Sequence, residues 1–311
     1  MTAALVSVAD ALAARLGSRA RVERSVPIAQ FTTYRLGGPA ALLVRVGAVE
    51  VLPALATVIA THAPPVLIVG RGSNLLVADA GFPGLAVVLE GDFAAFSVDD
   101  PSAVRAGGAV ALPALARAAA AAGAGGLEFF VGIPGSVGGA VRMNAGGHGR
   151  ETADVLLSAD VFDLVGGDAV TTRRAGALDL GYRSSNLGGG ELVVGATFRA
   201  VPTAPSDCAR GLADVVQWRR EHQPGGANAG SVFRNPPGDS AGRIIDSLGL
   251  KGTRVGGALV SPKHANFFQA EPGATADDVF RLVRLVRARV REATGIDLVP
   301  ELRTVGFGEE P

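Results

Sequence analysis

Glycine is the residue whose distribution most constrains how this chain can fold. The 311 residues include 43 glycines, which cluster in a few loops instead of recurring with a fixed period. A collagen-like or low-complexity disordered chain is therefore excluded. Two of these loops are Gly70–Leu75 and Gly132–Ala140, the second followed closely by Asn144–Gly147. Because glycine-rich backbone loses much conformational entropy on folding, such loops indicate close approach of the backbone to another group.

The first glycine loop follows the apolar run Val66–Val69, which has the pattern of a buried strand. Successive N–H groups in such a loop can hold a pyrophosphate. The pattern is not a Rossmann fingerprint, because Leu75 stands where the third glycine would be, and no Gly-Lys-Ser/Thr follows as in a P-loop. From the residues alone, a tight turn is an equal alternative.

The second glycine loop is interspersed with the apolar residues Ile133, Val137 and Val141. That pattern favours a loop whose backbone lies against a flat ring or a phosphate. The alternative, a mobile surface loop, is less favoured because its apolar residues would then be exposed.

Charge and composition exclude several other classes of protein. The chain has 29 basic and 29 acidic residues, so it lacks the basic excess typical of nucleic-acid binding. One cysteine, Cys208, cannot form an internal disulfide, which fits a reducing, cytoplasmic location. Asp10 interrupts the first apolar stretch, which predicts an amphipathic helix and no signal peptide. No membrane span is expected, and His62 and His148 show no metal-ligand spacing with Cys208 or with each other.

Three blocks of secondary structure are predicted, at 1–92, 93–203 and 204–311, with the last strand able to return to the first block. The predicted elements are the strands Ala41–Val46, Val66–Val69, Val87–Leu89, Val155–Asp163 and Leu192–Arg199, and the helices Glu50–Thr61, Leu112–Ala122 and Asp207–Arg220. Ser206 is the expected N-cap of the last of these helices. A further helix has a capping box at Thr275 and Asp278, an apolar stripe at helical spacing and a stop at Gly295.

Six motifs in order resemble those of UDP-N-acetylenolpyruvoylglucosamine reductases, the MurB family. The motifs are Thr32–Ala40, Gly70–Leu75, Gly132–Ala140, Gly181–Ser185, Asn228–Pro236 and Pro300–Arg303. The resemblance implies an α+β protein: an FAD-binding fold of the PCMH/VAO type in two subdomains, followed by a C-terminal MurB-type α+β substrate domain. Tyrosine is absent between Arg183 and Ser231, which resembles the subclass without a tyrosine-bearing lid loop.

The resemblance also implies cofactors and substrate. Non-covalent FAD would be reduced by NADPH and would then reduce UDP-N-acetylglucosamine enolpyruvate to UDP-N-acetylmuramate for peptidoglycan synthesis. The residues implied to bind the cofactor are Tyr34, Gly70, Arg71, Gly72, Ser73, Asn74, Leu75, Pro134, Gly135, Ser136, Gly138, Gly139, Asn144 and Gly146. Those implied to bind substrate are Tyr182, Arg219 and Asn235. His222 stands where the family often has lysine, so a diphosphate contact there is not expected from charge.

Three residues are implied to carry the chemistry. Hydride addition to an enol ether conjugated with a carboxylate moves charge onto that carboxylate, so a fixed cation is needed there, and Arg183 fits this role. Glu301 would lie beside it, where a carboxyl group can be held protonated and donate a hydrogen bond. Ser231 would give the proton to C2. Taken singly, each of the three also fits an ordinary turn or surface residue.

Two other functions remain open at this point. A flavin oxidase of the same superfamily would couple oxygen reduction to turnover of an alcohol or hydroxy acid, often through a covalently tethered flavin. The two glycine loops contain no His or Cys for such a tether, and His148 is the nearest. A non-catalytic FAD- or nucleotide-binding protein would not be expected to keep Arg183, Ser231 and Glu301 together. No separate NADPH fold is visible, which predicts that NADPH and sugar use one cleft in turn. A monomer is expected.

Overall fold

The computed structural model describes residues 3–308, so residues 1–2 and 309–311, the outer ends of the first and third predicted blocks, lie outside the described residues. Its α-helices are α1 Ala3–Arg15, α2 Leu52–His62, α3 Leu112–Ala121, α4 Val137–Met143, α5 Pro205–His222, α6 Ala241–Ser247 and α7 Ala276–Thr294.

The strands are short and numerous. They are β1 Ala20–Pro27, β2 Pro39–Val46, β3 Val66–Ile68, β4 Leu75–Val77, β5 Phe82–Leu89, β6 Phe96–Asp100, β7 Ala103–Gly107, β8 Ala124–Gly125, β9 Gly146–Gly147, β10 Arg150–Glu151, β11 Leu156–Asp163, β12 Thr171–Arg174, β13 Glu191–Arg199, β14 Val201–Pro202, β15 Arg254–Val255, β16 Ala258–Val260, β17 Phe268–Ala270 and β18 Arg303–Val305.

The described chain divides into two compact units. The first comprises residues 3–25, 41–71 and 83–218, and the second comprises residues 26–40, 72–82 and 219–308. The chain therefore enters the second unit three times. The three predicted blocks divide the sequence differently, and their boundaries stay a prediction.

Unit 1 contains two hydrophobic cores. In one, α1 and α2 pack with the four-stranded sheet β1-β2-β5-β3, and Leu12, Leu42 and Leu55 are fully buried. β3 runs parallel to its neighbour β5, whereas β2 and β3 are not adjacent in this sheet, so the parallel arrangement expected from the order strand, helix, strand at β2, α2 and β3 stays a prediction. In the other, α3 and α4 pack with the antiparallel sheet β12-β11-β13-β7-β6. Phe130 and Phe198 meet edge to face there, with ring centroids 5.4 Å apart.

Unit 2 is built around α7. The apolar stripe of this helix, including Val279, Val283 and Val286, is fully buried in a core with the sheet β15-β16-β17. The predicted capping box is present, since the hydroxyl of Thr275 accepts from the N–H of Asp278 at 3.1 Å. The helix ends at Gly295, whose φ of 74° is left-handed, as predicted. The last strand, β18, pairs in parallel with β4.

The expected N-cap of α5 is wrong. The helix begins at Pro205, one residue before Ser206, and the N–H groups of Asp207 and Cys208 donate to the carbonyl of Ala204. Proline suits the first helical position because it has no N–H to satisfy there and its φ is already helical. Cys208 is 1% exposed, as expected of a packing residue, and burial raises the pKa of its thiol.

Candidate active site

The first glycine loop presents unused backbone donors. In unit 2, Gly72 has a left-handed φ of 53°, and a Cβ there would lie 2.1 Å from the carbonyl oxygen of Phe31, so only glycine fits. Within residues 3–308, the backbone N–H groups of Gly72, Ser73 and Asn74 donate to no protein acceptor. The hydroxyl of Thr33, whose N–H donates to Gly72, is buried and also lacks a hydrogen-bond partner among these residues. Unsatisfied donors in a left-handed turn suit an anionic ligand such as a pyrophosphate.

The second glycine loop leads into α4 in unit 1. Ser136 caps the helix, and the N–H of Gly139 donates to its hydroxyl at 3.3 Å. The N–H groups of Val137 and Gly138 donate to backbone carbonyls at 2.9 Å. Because protein groups already satisfy these donors, the N-terminus of α4 does not favour a phosphate, and the flat-ring alternative fits better.

Different contacts limit what can replace each glycine of this second loop. At Gly138 a Cβ would lie 3.1 Å from the carbonyl oxygen of Val193, so tight packing of α4 on β13 disfavours a side chain. At Gly139 the nearest atom, the hydroxyl of Ser136, would be 3.5 Å away, which is an ordinary contact. Internal packing therefore does not require Gly139, whereas a ring lying against it would. A Cβ at Gly70 would lie 2.7 Å from the same hydroxyl, which places Gly70, in unit 1, against the second glycine loop.

Arg183 occupies a strained turn in unit 1. Gly181 and Ser184 pair through both of their N–H groups, which leaves Tyr182 and Arg183 at the tip. The φ of Arg183 is 55°, in the left-handed region, where a non-glycine residue costs about 1–2 kcal/mol. Its guanidinium donates to the carbonyl of Gly146 at 3.3 Å and lies 5.0 Å from the centre of the Tyr182 ring. Backbone strain of this kind is common at functional sites.

Asn144 connects that turn to α4. It is the C-terminal cap of the helix, with a left-handed φ of 40° and no exposed surface. Its side-chain Nδ2 donates to the carbonyl of Gly181 at 2.9 Å, and its Oδ1 accepts from the N–H of Ala153 at 2.8 Å. The helix that starts in the second glycine loop thus ends on the turn that carries Arg183.

Ser231 and Glu301 lie on neighbouring segments of unit 2. The carbonyl of Val232 accepts from the N–H of Glu301 at 2.8 Å, and Ser231 forms an antiparallel bridge with Phe267. Asn74, from the first glycine loop, donates from its side chain to the carbonyl of Glu301 at 3.0 Å. Two of the three predicted catalytic residues, and part of one predicted cofactor loop, are therefore brought together by the fold.

Asn266 is an organising residue whose role the sequence did not reveal. It is 2% exposed, and its side-chain amide forms two hydrogen bonds with Phe233, accepting from the N–H at 2.9 Å and donating to the carbonyl at 2.8 Å. Its own carbonyl accepts from the N–H of Val232. The segment that carries Ser231 is thus held by Asn266. No sequence signal links an asparagine to a backbone 33 positions away.

The remaining predicted binding residues are more dispersed. Tyr34 is buried in the core of unit 2, where its hydroxyl donates to the carbonyl of Phe268 at 3.0 Å and burial raises its pKa. In the same unit, Arg219 is half-buried, donates to the side chain of Gln223 at 2.8 Å and has a pKa lowered by burial. The exposed Asn235 accepts from the N–H of Ala241, the first residue of α6. Tyr182, in unit 1, is 49% exposed.

The predicted site residues fall into two groups. Those in unit 1 are Gly70, Arg71, Pro134, Gly135, Ser136, Gly138, Gly139, Asn144, Gly146, Tyr182 and Arg183; those in unit 2 are Tyr34, Gly72, Ser73, Asn74, Leu75, Arg219, Ser231, Asn235 and Glu301. Each group is assembled within its own unit. Convergence of Arg183 with Ser231 and Glu301 stays a prediction.

No helix within residues 3–308 is long and apolar enough to cross a membrane. Over the same residues, no cluster of three or more His, Cys, Asp or Glu side chains could hold a metal ion.

Comparison with known proteins places the chain in a class. Residues 40–173 match the family described as "FAD binding domain", and residues 221–305 match "UDP-N-acetylenolpyruvoylglucosamine reductase, C-terminal domain". Together with the two glycine loops, these matches define an α+β flavoprotein with an FAD-binding part and a separate C-terminal domain, as the sequence predicted.

Similar full-length proteins identify the family. A UDP-N-acetylenolpyruvoylglucosamine reductase of Synechococcus sp. (strain WH7803) is 43% identical over 92% of this chain and 94% of its own. One from Acidiphilium cryptum is 44% identical over 96% of each chain. The crystal structure of MurB from Thermus caldophilus, 39% identical, covers 92% of this chain and 99% of its own with a TM-score of 0.80. This chain belongs to the UDP-N-acetylenolpyruvoylglucosamine reductase family, so the resemblance of the six motifs is confirmed.

Proposed function

We propose that this chain reduces the enolpyruvyl ether of UDP-N-acetylenolpyruvoylglucosamine to the lactyl ether of UDP-N-acetylmuramate, with Arg183, Ser231 and Glu301 around the reacting group. One observation supports the proposal most directly. Arg183 is held in a left-handed turn that hydrogen-bonds to the end of α4, the helix of the second glycine loop. A strained arginine beside a cofactor loop suits an anionic substrate.

The first role belongs to Arg183. The double bond of the substrate is conjugated with a carboxylate, so hydride arriving at C3 pushes negative charge toward that carboxylate. A guanidinium stays charged at all relevant pH values and can bind both carboxylate oxygens at once. Because the turn already fixes the position of Arg183, little reorganisation is needed when the charge develops.

The second role belongs to Ser231, which supplies the proton that C2 needs after hydride addition. A hydroxyl is a weak acid, but the carbanion-like C2 is a strong base, so transfer over a short distance is feasible. Hydrogen bonds from Phe233 and Val232 to Asn266 hold the segment next to Ser231 in place. Such backbone support restricts the positions that the hydroxyl can take.

The third role belongs to Glu301. As an acid it can donate a hydrogen bond to the substrate carboxylate while Arg183 binds it, which spreads the developing charge over two groups. The side-chain amide of Asn74 and the carbonyl of Val232 both bond to the backbone of Glu301. Its segment is thus fixed on two sides within unit 2.

FAD, when bound, would supply the hydride for C3, with NADPH as the source. The unused N–H groups of Gly72, Ser73 and Asn74 would hold its pyrophosphate, and the face of Gly139 would lie against the ring. Tyr182, Arg219 and Asn235 are the proposed contacts to the nucleotide sugar. The proposal includes a cytoplasmic, monomeric enzyme of peptidoglycan synthesis from the subclass without a tyrosine-bearing lid.

A single anaerobic assay tests the function. The purified protein is expected to be yellow and to consume one NADPH per UDP-N-acetylenolpyruvoylglucosamine, with UDP-N-acetylmuramate as product. An oxidase would instead consume oxygen with an alcohol or hydroxy acid and would leave the enolpyruvyl sugar unchanged. A yellow protein that oxidises no NADPH with that sugar would show that the proposal is wrong.

A further inference from the structure

We propose that Asn144 is a positioning residue that fixes Arg183 for the substrate carboxylate, and that it makes no contact with FAD. This inference replaces the cofactor role that the sequence motif implied for Asn144. It rests on the proposed function of Arg183, and the test below separates the two.

The first step concerns access. Asn144 is 0% exposed, so the accessible surface of the protein chain includes no part of it. A ligand that docks on that surface does not reach the amide. Both polar atoms of the side chain are also used, Nδ2 on the carbonyl of Gly181 and Oδ1 on the N–H of Ala153. One partner is an acceptor and the other a donor, so the orientation of the amide is fixed.

The second step concerns the backbone of Asn144 itself. Its φ of 40° and ψ of 55° end α4 in the left-handed region, where asparagine is better tolerated than most residues. In this conformation the chain leaves the helix and the side chain meets the turn at residues 181–184. Asparagine thus meets two requirements at once, a left-handed cap and an amide for two backbone partners.

The third step links Asn144 to Arg183. Gly181 opens the turn, and its N–H and carbonyl pair with those of Ser184, so fixing Gly181 fixes the whole turn. A second hydrogen bond runs from the hydroxyl of Ser185 to the carbonyl of Arg142 at 2.7 Å. The turn that carries Arg183 is therefore attached to the end of α4 at residues on both of its sides.

The chemical consequence is selective. If the hydrogen bond from Asn144 to Gly181 is lost, the turn can shift, and Arg183 is no longer held in position to bind the substrate carboxylate. The rest of the nucleotide sugar can still bind. Asn144→Asp is the most specific substitution. Aspartate has the same size as asparagine and also tolerates the left-handed conformation, but it places a carboxylate oxygen against the carbonyl of Gly181. Asn144→Gly serves as a second variant, since glycine keeps the backbone conformation without the side-chain bonds.

Two ligands provide the test, one with the lactyl ether that carries the carboxylate and one without it. Dissociation constants of UDP-N-acetylmuramate and UDP-N-acetylglucosamine are measured by calorimetry on the yellow holoenzyme. Asn144→Asp and Asn144→Gly are expected to weaken the first ligand about tenfold and the second less than about twofold, a tenfold change being 1.4 kcal/mol. The control Asn186→Ala changes an exposed asparagine of the following segment, bonded to the carbonyl of Ala177, and is expected to leave both constants unchanged.

A double-mutant cycle decides how Asn144 acts. Arg183→Gln alone should weaken UDP-N-acetylmuramate selectively, and adding Asn144→Asp should cause little further loss. Full additivity of the two changes, wild-type binding by the Asn144 variants, or release of FAD from them would overturn the inference. No effect of Arg183→Gln on either ligand would instead remove the proposed role of Arg183 and, with it, this inference.

Discussion

The side-chain amides of asparagines support the backbone at several points of the candidate site. An amide offers a donor and an acceptor without a charge, so it can satisfy peptide groups in the interior at any pH. Three asparagines use their side chains on backbone groups in or beside a segment that carries a proposed catalytic residue. They are Asn74 for Glu301, Asn144 for Arg183 and Asn266 for Ser231. Three segments that carry proposed catalytic residues are thus each supported by a neighbouring asparagine side chain.

The role of Ser231 predicts a split between the two half-reactions. Ser231→Ala removes the proton for C2 but leaves the glycine loops intact, so anaerobic reduction of the flavin by NADPH should stay within about twofold of wild type. Oxidation of the reduced enzyme by the enolpyruvyl sugar should slow at least about a hundredfold. Stopped-flow absorbance follows both steps. Ser206→Ala, at an exposed serine of α5, is the control, and equal slowing of both steps would assign Ser231 a structural role.

Asn266 predicts a stability effect. Asn266→Ala leaves the N–H and carbonyl of Phe233 buried without partners, which should lower the free energy of unfolding by about 2–4 kcal/mol. Urea denaturation measures the change. Asn186→Ala is the matched control, because its exposed amide bonds only to groups that water can satisfy, and its effect should stay below about 1 kcal/mol. A loss at Asn266 no larger than that of the control would contradict the prediction.

At the scale of single elements, α4 offers two adjacent glycines with opposite expected behaviour. Gly138→Ala forces a Cβ to 3.1 Å from the carbonyl oxygen of Val193 and should destabilise the protein without FAD by about 1–3 kcal/mol. Gly139→Ala has room, so it should leave that stability unchanged or raise it by up to about 1 kcal/mol, as alanine is the better helix former. If the flavin ring lies against Gly139, FAD affinity should nevertheless fall about tenfold or more.

Urea unfolding of the apoprotein and fluorescence titration with FAD give the two quantities for each variant. Each glycine thus serves as the control for the other. Wild-type FAD affinity in Gly139→Ala would exclude a ring against this face of α4, whatever the stability result.

The N-terminus of α7 predicts a dependence of stability on pH. The carboxylate of Asp278 accepts from the N–H groups of Gly257 and Thr275, each at 3.1 Å, and from Arg281 at 2.6 Å. The bond from Gly257 contributes most to lowering the pKa of this carboxyl group. Because the pKa is lower in the folded than in the unfolded state, the stabilisation is present at neutral pH. It is lost as the pH falls below about 4, through the folded pKa.

Asp278→Asn should therefore be less stable than wild type by about 2 kcal/mol at pH 7, and the difference should shrink between pH 5 and pH 3. Urea midpoints at each pH test this. The neighbouring Asp277 is exposed and lies 3.7 Å from Arg281, so Asp277→Asn should change stability by less than about 0.5 kcal/mol throughout. A constant difference for Asp278→Asn across the pH range would show that shape, not charge, sets its contribution.

At the scale of the whole molecule, the sequence predicted local features better than long-range ones. The cap, stripe and stop of α7 were predictable because they depend on residues within a few turns. The glycine loops indicated a cofactor because a purely structural turn rarely needs so much glycine, which is costly to order on folding. By contrast, the bond from Asn74 to Glu301 joins residues more than 200 positions apart, and no local pattern encodes such a partner.

The division into units shows the same limit. Residues 26–40 and 72–82 belong to the compact unit of the C-terminal residues, although they are sequence neighbours of unit 1. Composition does not change at these points, because the core of unit 2 simply includes Tyr34 and Leu76 among its apolar residues. The chain thus enters unit 2 three times without a local sequence signal at the points of entry.

The positions of the two family matches also predict how two substrates are handled. The FAD-binding match covers residues 40–173 and the C-terminal match covers residues 221–305, which leaves no stretch long enough for a separate dinucleotide-binding domain. We therefore expect NADPH and the nucleotide sugar to reach the flavin by one route, at different times. Saturating UDP-N-acetylmuramate should accordingly prevent reduction of the flavin by NADPH, and raising NADPH should relieve the inhibition.

Anaerobic bleaching of the flavin absorbance measures this competition directly. The observed rate should fall at least about tenfold at product concentrations a hundred times its dissociation constant, and the NADPH concentration for half-maximal rate should rise in proportion. UMP is a useful control ligand, because it occupies only the nucleotide end of the sugar site and should inhibit weakly. If the flavin is reduced at the full rate while product is bound, a second route to the flavin must exist. That result would contradict the prediction that NADPH and the nucleotide sugar use one cleft in turn.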